Sequence, residues 1–394
     1  MEANPVIAAL GRRLRLGMIG GGPGSRIGEV HRIAARIDDR YELVASVLSS
    51  DGARSRERGQ ALGLTADRAY PTAEEMFRSE ASRPDGIDVV AIMTPNDTHY
   101  PLSRAALESG FDVICDKPLA TSLADAVDLV RRVRDSGLVF CLTFNHSGYP
   151  MIRQARAMIA RGLLGEVRMA HFEYLQGHIA TRVEEDAPEA LGWRLDPART
   201  GPSLVLADIG SHAHHIVTYV TGLAVSQVCA ELGAVVPGRR VDDYAGGLLR
   251  FENGARGVMW ATQAAAGARH GLSLRVFGER GGVEWRHAEP NRLRHMPMGE
   301  PPRELSRAGP GQLPEAARAA RVFVGHPEGF HEAFANLYSD AAEAIVARRT
   351  GAPADPLALD FPTVEDGARG VRFIEAAVES SRAGGAWVDC ALEL

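Results

Sequence analysis

Residues 14–31 read LRLGMIGGGPGSRIGEVH. An apolar strand, 14–19, runs into Gly20-Gly21-Gly22, with Gly24 and Gly28 close behind. Val30, Ile33, Ala34 and Ile37 then recur at helical spacing. Strand, glycine turn and helix in this order hold a dinucleotide in a Rossmann domain. The glycines allow a tight turn and close approach of the pyrophosphate, and the helix start supplies N–H groups and a positive dipole end. The predicted phosphate-binding residues are Gly20, Gly22, Gly24, Ser25, Arg26, Ile27 and Gly28. The usual spacing is G-x-G-x-x-G, whereas five residues separate Gly22 from Gly28. The alternative for this stretch taken alone is a flexible surface turn.

With 394 residues the chain can bury two separate cores. A net charge of −6 gives no electrostatic footprint for nucleic acid. Cys115, Cys141, Cys229 and Cys390 lack C-x-x-C spacing, which predicts reduced thiols without a disulfide frame or zinc site. No apolar run approaches a membrane span, and the N-terminal apolar patch is too short for a signal peptide. These features predict a cytoplasmic protein with no membrane or nucleic-acid partner.

Strand patterns at 14–19, 41–48, 88–93, 112–115 and 139–144 alternate with helical ones at 30–38, 54–62, 73–81, 100–109 and 122–135. Near-continuous apolar strands between amphipathic helices predict a parallel sheet covered on both faces, in an α/β domain spanning 1–148. After a helix at 151–161 the pattern changes. Segment 166–175 alternates as a half-buried strand, 182–199 is a charged, proline-containing loop, and 207–221 is helical. Strands at 225–236, 245–251, 257–264, 272–277 and 281–285 predict a large, mostly antiparallel open sheet in an α+β domain, 149–394. Residues 287–325 read as a long loop or lid. Helices at 330–348 and 364–383 close the chain, free to pack back on the first domain.

Asp116-Lys117-Pro118 follows strand 112–115, at the sheet edge where open α/β folds bind ligands. A lysine there can orient a substrate hydroxyl and the cofactor ribose and move a proton; an exposed lysine beside a turn proline is the other reading. Asp208-x-x-x-His212 places carboxylate and imidazole on one helix face, suited to accepting a hydroxyl proton as hydride leaves the same carbon. The alternative is a helix cap with packed histidines. His212 and His215 resemble a metal pair, but no second cluster completes a shell, so no metal is predicted. Thr94-Pro95-Asn96-x-x-His99 follows strand 88–93 and is placed beside the nicotinamide and ribose, or else is a turn capped by Asn96. Ser49, Ser50 and Arg54 fit a 2′-phosphate, while Asp51 fits ribose hydroxyls, leaving NAD and NADP both open.

Together these pieces resemble the Gfo/Idh/MocA family of NAD(P)-dependent oxidoreductases, over nearly the whole chain. The carriers are the glycine loop through Gly28-x-x-His31, Thr94-Pro95-Asn96-x-x-His99, Asp116-Lys117-Pro118 and Asp208-Ile209-Gly210-Ser211-His212. The resemblance implies a Rossmann domain followed by a sheet domain that forms a homodimer or homotetramer interface. It implies Lys117, Asp208 and His212 as the catalytic set, with His212 as proton acceptor and Asp116 beside the cofactor. Trp193 and Arg194 fall where family members have substrate-site residues, and Asn145, at the end of the last strand of the first domain, joins them. The segment Gly325-His326-Pro327-Glu328-Gly329 resembles a subset of longer bacterial members, with His326 either reaching the substrate or lying in a turn. Gly201-Pro202-Ser203 replaces a run of glycines.

The expected activity is hydride transfer between a nicotinamide and a secondary hydroxyl or ketone of a sugar, sugar derivative or cyclitol. Two alternatives use the same scaffold: glycoside cleavage by transient ring oxidation and elimination, and a silent dinucleotide or sugar sensor. Retention of Lys117, Asp208 and His212 together argues against the sensor.

Overall fold

The computed structural model describes residues 4–186 and 192–394, so the predicted loop 182–199 lies partly outside the described residues. Strand β1 (Leu14–Gly20) buries Leu14, Leu16 and Met18 to 1% exposure or less. It pairs in parallel with β2 (Tyr41–Val47) on one side and β3 (Val89–Met93) on the other. β4 (Asp112–Cys115) and β5 (Phe140–Leu142) complete a parallel sheet in the order β2-β1-β3-β4-β5. Every residue of β3 and β4 is buried, as a strand covered on both faces requires. The order reverses between β1 and β3. That is the switch point where such sheets bind ligands, and there Gly20 pairs with Met93.

The chain forms two compact units: residues up to 120 with 124–145 and 330–367, and residues 121–123, 146–329 and 368–394. Segment 330–367 thus belongs with the first unit, unlike in a single cut near 148. Its helix Phe330–Thr350 places Phe334, Leu337, Tyr338, Ala341 and Ile345 in the core that holds Leu14, Leu16 and Tyr41. His31 Nδ1 lies 2.8 Å from Tyr338 Oη, and Tyr41 Oη donates to Tyr338 O at 2.7 Å.

The second unit carries β6 (Val167–Leu175), β7 (Val225–Gly233), β8 (Tyr244–Phe251), β9 (Arg256–Thr262), β10 (Gly271–Gly278), β11 (Gly281–Arg286), β12 (Arg292–Pro297), β13 (Arg303–Ser306) and β14 (Val388–Asp389). Their order is β13-β12-β11-β10-β6-β9-β8-β7-β14. Among the described residues the pairings are antiparallel except β6 with β9. Alternation fixes two unlike faces. Ala170, Phe172, Tyr174, Met259 and Ala261 are buried, whereas Met169, Leu248, Val258 and Trp260 stay 41–54% exposed. Helices Pro150–Ala160 and Ser211–Thr221 pack on this sheet.

Residues 287–325 are not a continuous loop. They contain β12, β13 and a short helix, Pro314–Arg318. In β12 only Leu293 is fully buried, among exposed arginines. Paired between β11 and β13, the strand is too polar to be told from a loop by its pattern alone. No helix among the described residues is long and apolar enough to cross a membrane.

Candidate active site

In the first unit the candidate ligand-binding surface is built mainly from backbone. Gly21 has φ 64°, and a Cβ there would lie 2.5 Å from Met93 Sδ and 2.7 Å from Gly28 Cα. A Cβ on Gly28 would strike the Gly21 carbonyl. Glycine turn and helix therefore touch backbone to backbone, and despite the extra residues Gly28 does the work of the third motif glycine. Ser25 caps the helix Arg26–Ile37, its Oγ accepting from Gly28 N at 3.3 Å. Ile27 packs on the core and Arg26 is exposed, with Gly24 open at φ 88°. This bare cradle at the switch point fits a dinucleotide's pyrophosphate.

Side chains around the cradle are mostly spent on scaffolding. Asp51, after β2, accepts from Arg54 N at 2.7 Å and caps helix Gly52–Ala61; Ser49 Oγ accepts from Asp51 N at 3.1 Å. Exposed Ser50 and Arg54 flank that cap. The sequence places His99 among the cofactor contacts. In the structure its Nδ1 lies 2.7 Å from Pro118 O and its Nε2 2.9 Å from Thr94 O, so the ring ties two loops together. Thr98 Oγ1 donates to Pro95 O at 2.7 Å in the same loop, and Asn96 is buried. Asp116 accepts from Thr143 Oγ1 at 2.9 Å and Lys117 N at 3.0 Å, which fixes the loop that presents half-buried Lys117. Asn145 is 2% exposed and its Nδ2 makes no hydrogen bond, a donor held in reserve at the end of β5.

In the second unit Asp208 lies in a π-turn, Leu206–Gly210, that runs into helix Ser211–Thr221. The sequence reads Asp208 and His212 as an α-helical pair; the wider turn changes that geometry, and such turns recur at functional sites. Asp242 holds the entry, accepting from Ser203 Oγ at 2.5 Å, Leu204 N at 2.8 Å and Val205 N at 3.2 Å. Burial raises the Asp242 pKa against the pull of these bonds. Gln263, just past β9, donates to Asp208 Oδ2 at 2.6 Å. The Asp208 charge also reaches outward. Tyr174 is raised first by burial and then by that charge, while His178 is lowered by burial with Asp208 opposing.

Around His212 stands a wall of rings. His146 Nδ1 lies 3.2 Å from His212 Nδ1. Tyr149 Oη meets His287 Nε2 at 3.0 Å, Gln176 Nε2 donates to His270 Nδ1 at 3.0 Å, and Trp285 stacks on His287 at 6.1 Å. Burial, then the nearby His270, push His287 down to about 4. Trp193 and Arg194 form a cation–π pair at 4.8 Å in the turn Gly192–Leu195. His326 is exposed, and its carbonyl accepts from buried Arg307, which pairs with Glu328 at 2.8 Å. His214 stacks on Phe373 at 4.4 Å, and burial lowers it to about 3.

Sequence reasoning missed His146, Gln263, Tyr149, Tyr174 and His287. Their signal is faint: polar or aromatic residues at strand ends, each meeting a partner from a distant segment.

The profile described as "Oxidoreductase family, NAD-binding Rossmann fold" matches residues 14–144, and the "GFO/IDH/MocA C-terminal domain" profile matches 152–284. The uncharacterized oxidoreductase YfiI of Bacillus subtilis (strain 168) is 36% identical over 384 residues, covering 96% of this chain and 98% of its own length. The crystal structure of an oxidoreductase from Sinorhizobium meliloti matches with TM-score 0.86 at 44% identity, covering 96% of this chain and 99% of that one. An inositol dehydrogenase homolog from Azotobacter vinelandii, solved with NADH and myo-inositol, matches with TM-score 0.88 at 38% identity, covering 96% and 98%. With both profiles matched in order and full-length relatives at this identity, the chain belongs to the Gfo/Idh/MocA family and is an NAD(P)-dependent oxidoreductase.

Proposed function

We propose that the protein interconverts a secondary hydroxyl and a ketone on a polyhydroxylated ring, a cyclitol or sugar. The observation that carries this reading is the paired anchoring in the second unit: Asp208 is held by Gln263 and His212 by His146, so a carboxylate and an imidazole are each fixed by a side chain from a distant segment. The myo-inositol complex of the Azotobacter relative supports the substrate class.

A nicotinamide cofactor, NAD or NADP, would take up the hydride when bound. The glycine cradle 20–28 would hold its pyrophosphate, Thr94, Pro95 and Asn96 would line its nicotinamide side, and the segment Ser49, Ser50, Asp51 and Arg54 would flank the adenosine ribose. In the oxidative direction the C–H bond of the carbinol breaks with its electron pair, the O–H proton passes to His212, and a C=O bond forms. Lys117 donates a hydrogen bond to the same oxygen and steadies charge as it develops there. Asp208, held by Gln263, is proposed to orient the substrate beside it or tune the site. Asn145, Trp193, Arg194 and the rings of Tyr149 and Tyr174 are proposed to shape the substrate pocket. The exposed face of β6, β8 and β9, with Met169, Leu248, Val258 and Trp260, supports a homodimer or homotetramer. Four cysteines present as thiols support a reducing, cytoplasmic setting.

The test is absorbance of reduced nicotinamide with purified protein, either cofactor, and a panel of inositols, hexoses, sugar acids and glycosides. Reduction with one ring polyol is the expected result. Aglycone release with no net cofactor reduction, or undiminished turnover in both Lys117→Ala and His212→Ala, overturns it.

A further inference from the structure

We propose that His146 is a positioning residue that holds His212 in the tautomer able to accept the substrate proton. The inference rests on the assignment of His212 as the base. His146 lies in the turn Asn145–Gly148 after β5 and is 2% exposed. Its ring stands at 82° to that of His212, with centroids 4.8 Å apart and the two Nδ1 atoms 3.2 Å apart.

A hydrogen bond between two Nδ1 atoms contains one proton and one lone pair, so only two neutral arrangements exist. In one, His212 Nδ1–H donates to His146, and His212 Nε2 carries the lone pair a base needs. In the other the bond is reversed, Nε2 of His212 carries hydrogen, and the ring cannot accept a proton from the substrate. The surroundings of His146 favour the first. That arrangement puts its second proton on Nε2, and the ring sits among Tyr149, Tyr174 and Trp285, with centroids 5.9–6.5 Å distant, and His287 at 5.2 Å. Aromatic faces carry negative charge and receive an N–H better than a lone pair. Two nearby side chains that could donate to a lone pair there are engaged elsewhere: Trp285 Nε1 donates to Pro290 O at 3.2 Å, and Tyr149 Oη meets His287 Nε2 at 3.0 Å.

The pairing also serves the forward step. When His212 takes the hydroxyl proton at Nε2, its Nδ1–H continues to donate to His146, and the bond becomes charge-assisted. His146 thereby does for His212 what a carboxylate does for the histidine base of a catalytic triad, which is to fix tautomer and orientation. It does so without a second fixed negative charge.

The experiment compares His146→Leu, His146→Asn and His212→Ala in the holoenzyme, with histidine ring 15N NMR on wild type and both His146 variants. Asn keeps an acceptor near the position of Nδ1, and Leu removes it. The expected result is a kcat lower by about 10–100-fold in His146→Leu with KM nearly unchanged, and recovery of most of that loss in His146→Asn. In the spectra His212 is the Nδ1–H tautomer in wild type and in His146→Asn, and shifts toward Nε2–H in His146→Leu. An inactive His212→Ala beside a fully active His146→Leu overturns this inference alone. So does a folded His146→Asn that is no better than His146→Leu. An active His212→Ala overturns the base assignment and this inference with it.

Discussion

The glycine cradle of the first unit and the ring cluster of the second are held in shape by different means. At the cradle the surfaces offered to a ligand are backbone, made available because Gly21 and Gly28 have no Cβ to keep turn and helix apart. Nearby side chains such as His99, Asp51 and Ser25 make bonds inside the protein that keep the loops in place. In the second unit side chains do the work, and each is held by another side chain: His212 by His146, Asp208 by Gln263, His287 by Tyr149. On the function proposed above, the difference predicts that a substitution near the cradle acts through geometry and stability, whereas one in the ring cluster acts on the chemical step.

The sharpest test of that contrast is His212→Ala. Loss of a positioned general base is expected to lower kcat by about 10²–10⁴-fold with little change in cofactor affinity, measured by steady-state kinetics and cofactor titration. Gly28→Ala should do the reverse. Its Cβ drives against the Gly21 carbonyl, backbone that cannot step aside as a flexible side chain can. The expected cost is about 1–3 kcal/mol of stability, with weakened cofactor binding, read by denaturant titration and nicotinamide fluorescence. A Gly28→Ala protein of wild-type stability and affinity would break the account of the cradle.

The contrast also explains what the sequence could tell. Helix Ala73–Ala81 and strand Asp112–Cys115 are readable to the residue, because one carries a capping Thr72 before its apolar face and the other is a short apolar run in a fully covered sheet. The cradle is readable because its glycines are local. His146 and His212 are 66 residues apart, and Gln263 and Asp208 are 55 apart. Their pairing depends on how the segment around His146, the end of β9 and the helix after the π-turn come together, which no local period encodes. The π-turn is hidden for a related reason: apolar residues at 204–206 and 209 suit an α-turn equally well, and Asp242, far along the chain, anchors its entry. β12 escapes notice because Leu293 is its only fully buried residue, and its pairing with β11 and β13 is made by backbone that no apolar pattern marks.

A third prediction concerns the histidine that the second unit uses for packing rather than chemistry. His214 is enclosed against Phe373, and burial lowers its pKa to about 3, while in the unfolded chain it titrates near 6.5. Between those values the unfolded state binds the additional proton. Stability from this site is therefore intact above about pH 6.5 and is lost as pH falls toward 3. Near pH 5 the loss is about 2 kcal/mol. His214→Leu keeps the volume and removes the titration, so its melting temperature should fall less than that of wild type between neutral pH and pH 5. An identical pH dependence in the two proteins would show that His214 is not an acid-sensitive part of the fold.

The smallest expected effect tests the cradle's scaffolding most directly. Two roles are open to Asp51, and they predict opposite results. If its carboxylate reads the ribose, Asp51→Ala lowers NAD affinity sharply and shifts preference toward NADP. The carboxylate, however, caps helix Gly52–Ala61, accepting from Arg54 N at 2.7 Å with the extended backbone of an N-cap, φ −87° and ψ 118°. Losing that bond should cost about 1 kcal/mol, seen as a small fall in melting temperature. The ratio of NAD to NADP dissociation constants should stay within about twofold, since a difference of that size is well below the 1.4 kcal/mol of a tenfold change. Asp51→Asn, which retains a capping oxygen, should restore the melting temperature. A tenfold change in the cofactor ratio with stability unchanged would instead assign Asp51 to the ligand, and the cradle would no longer be a site built from backbone alone.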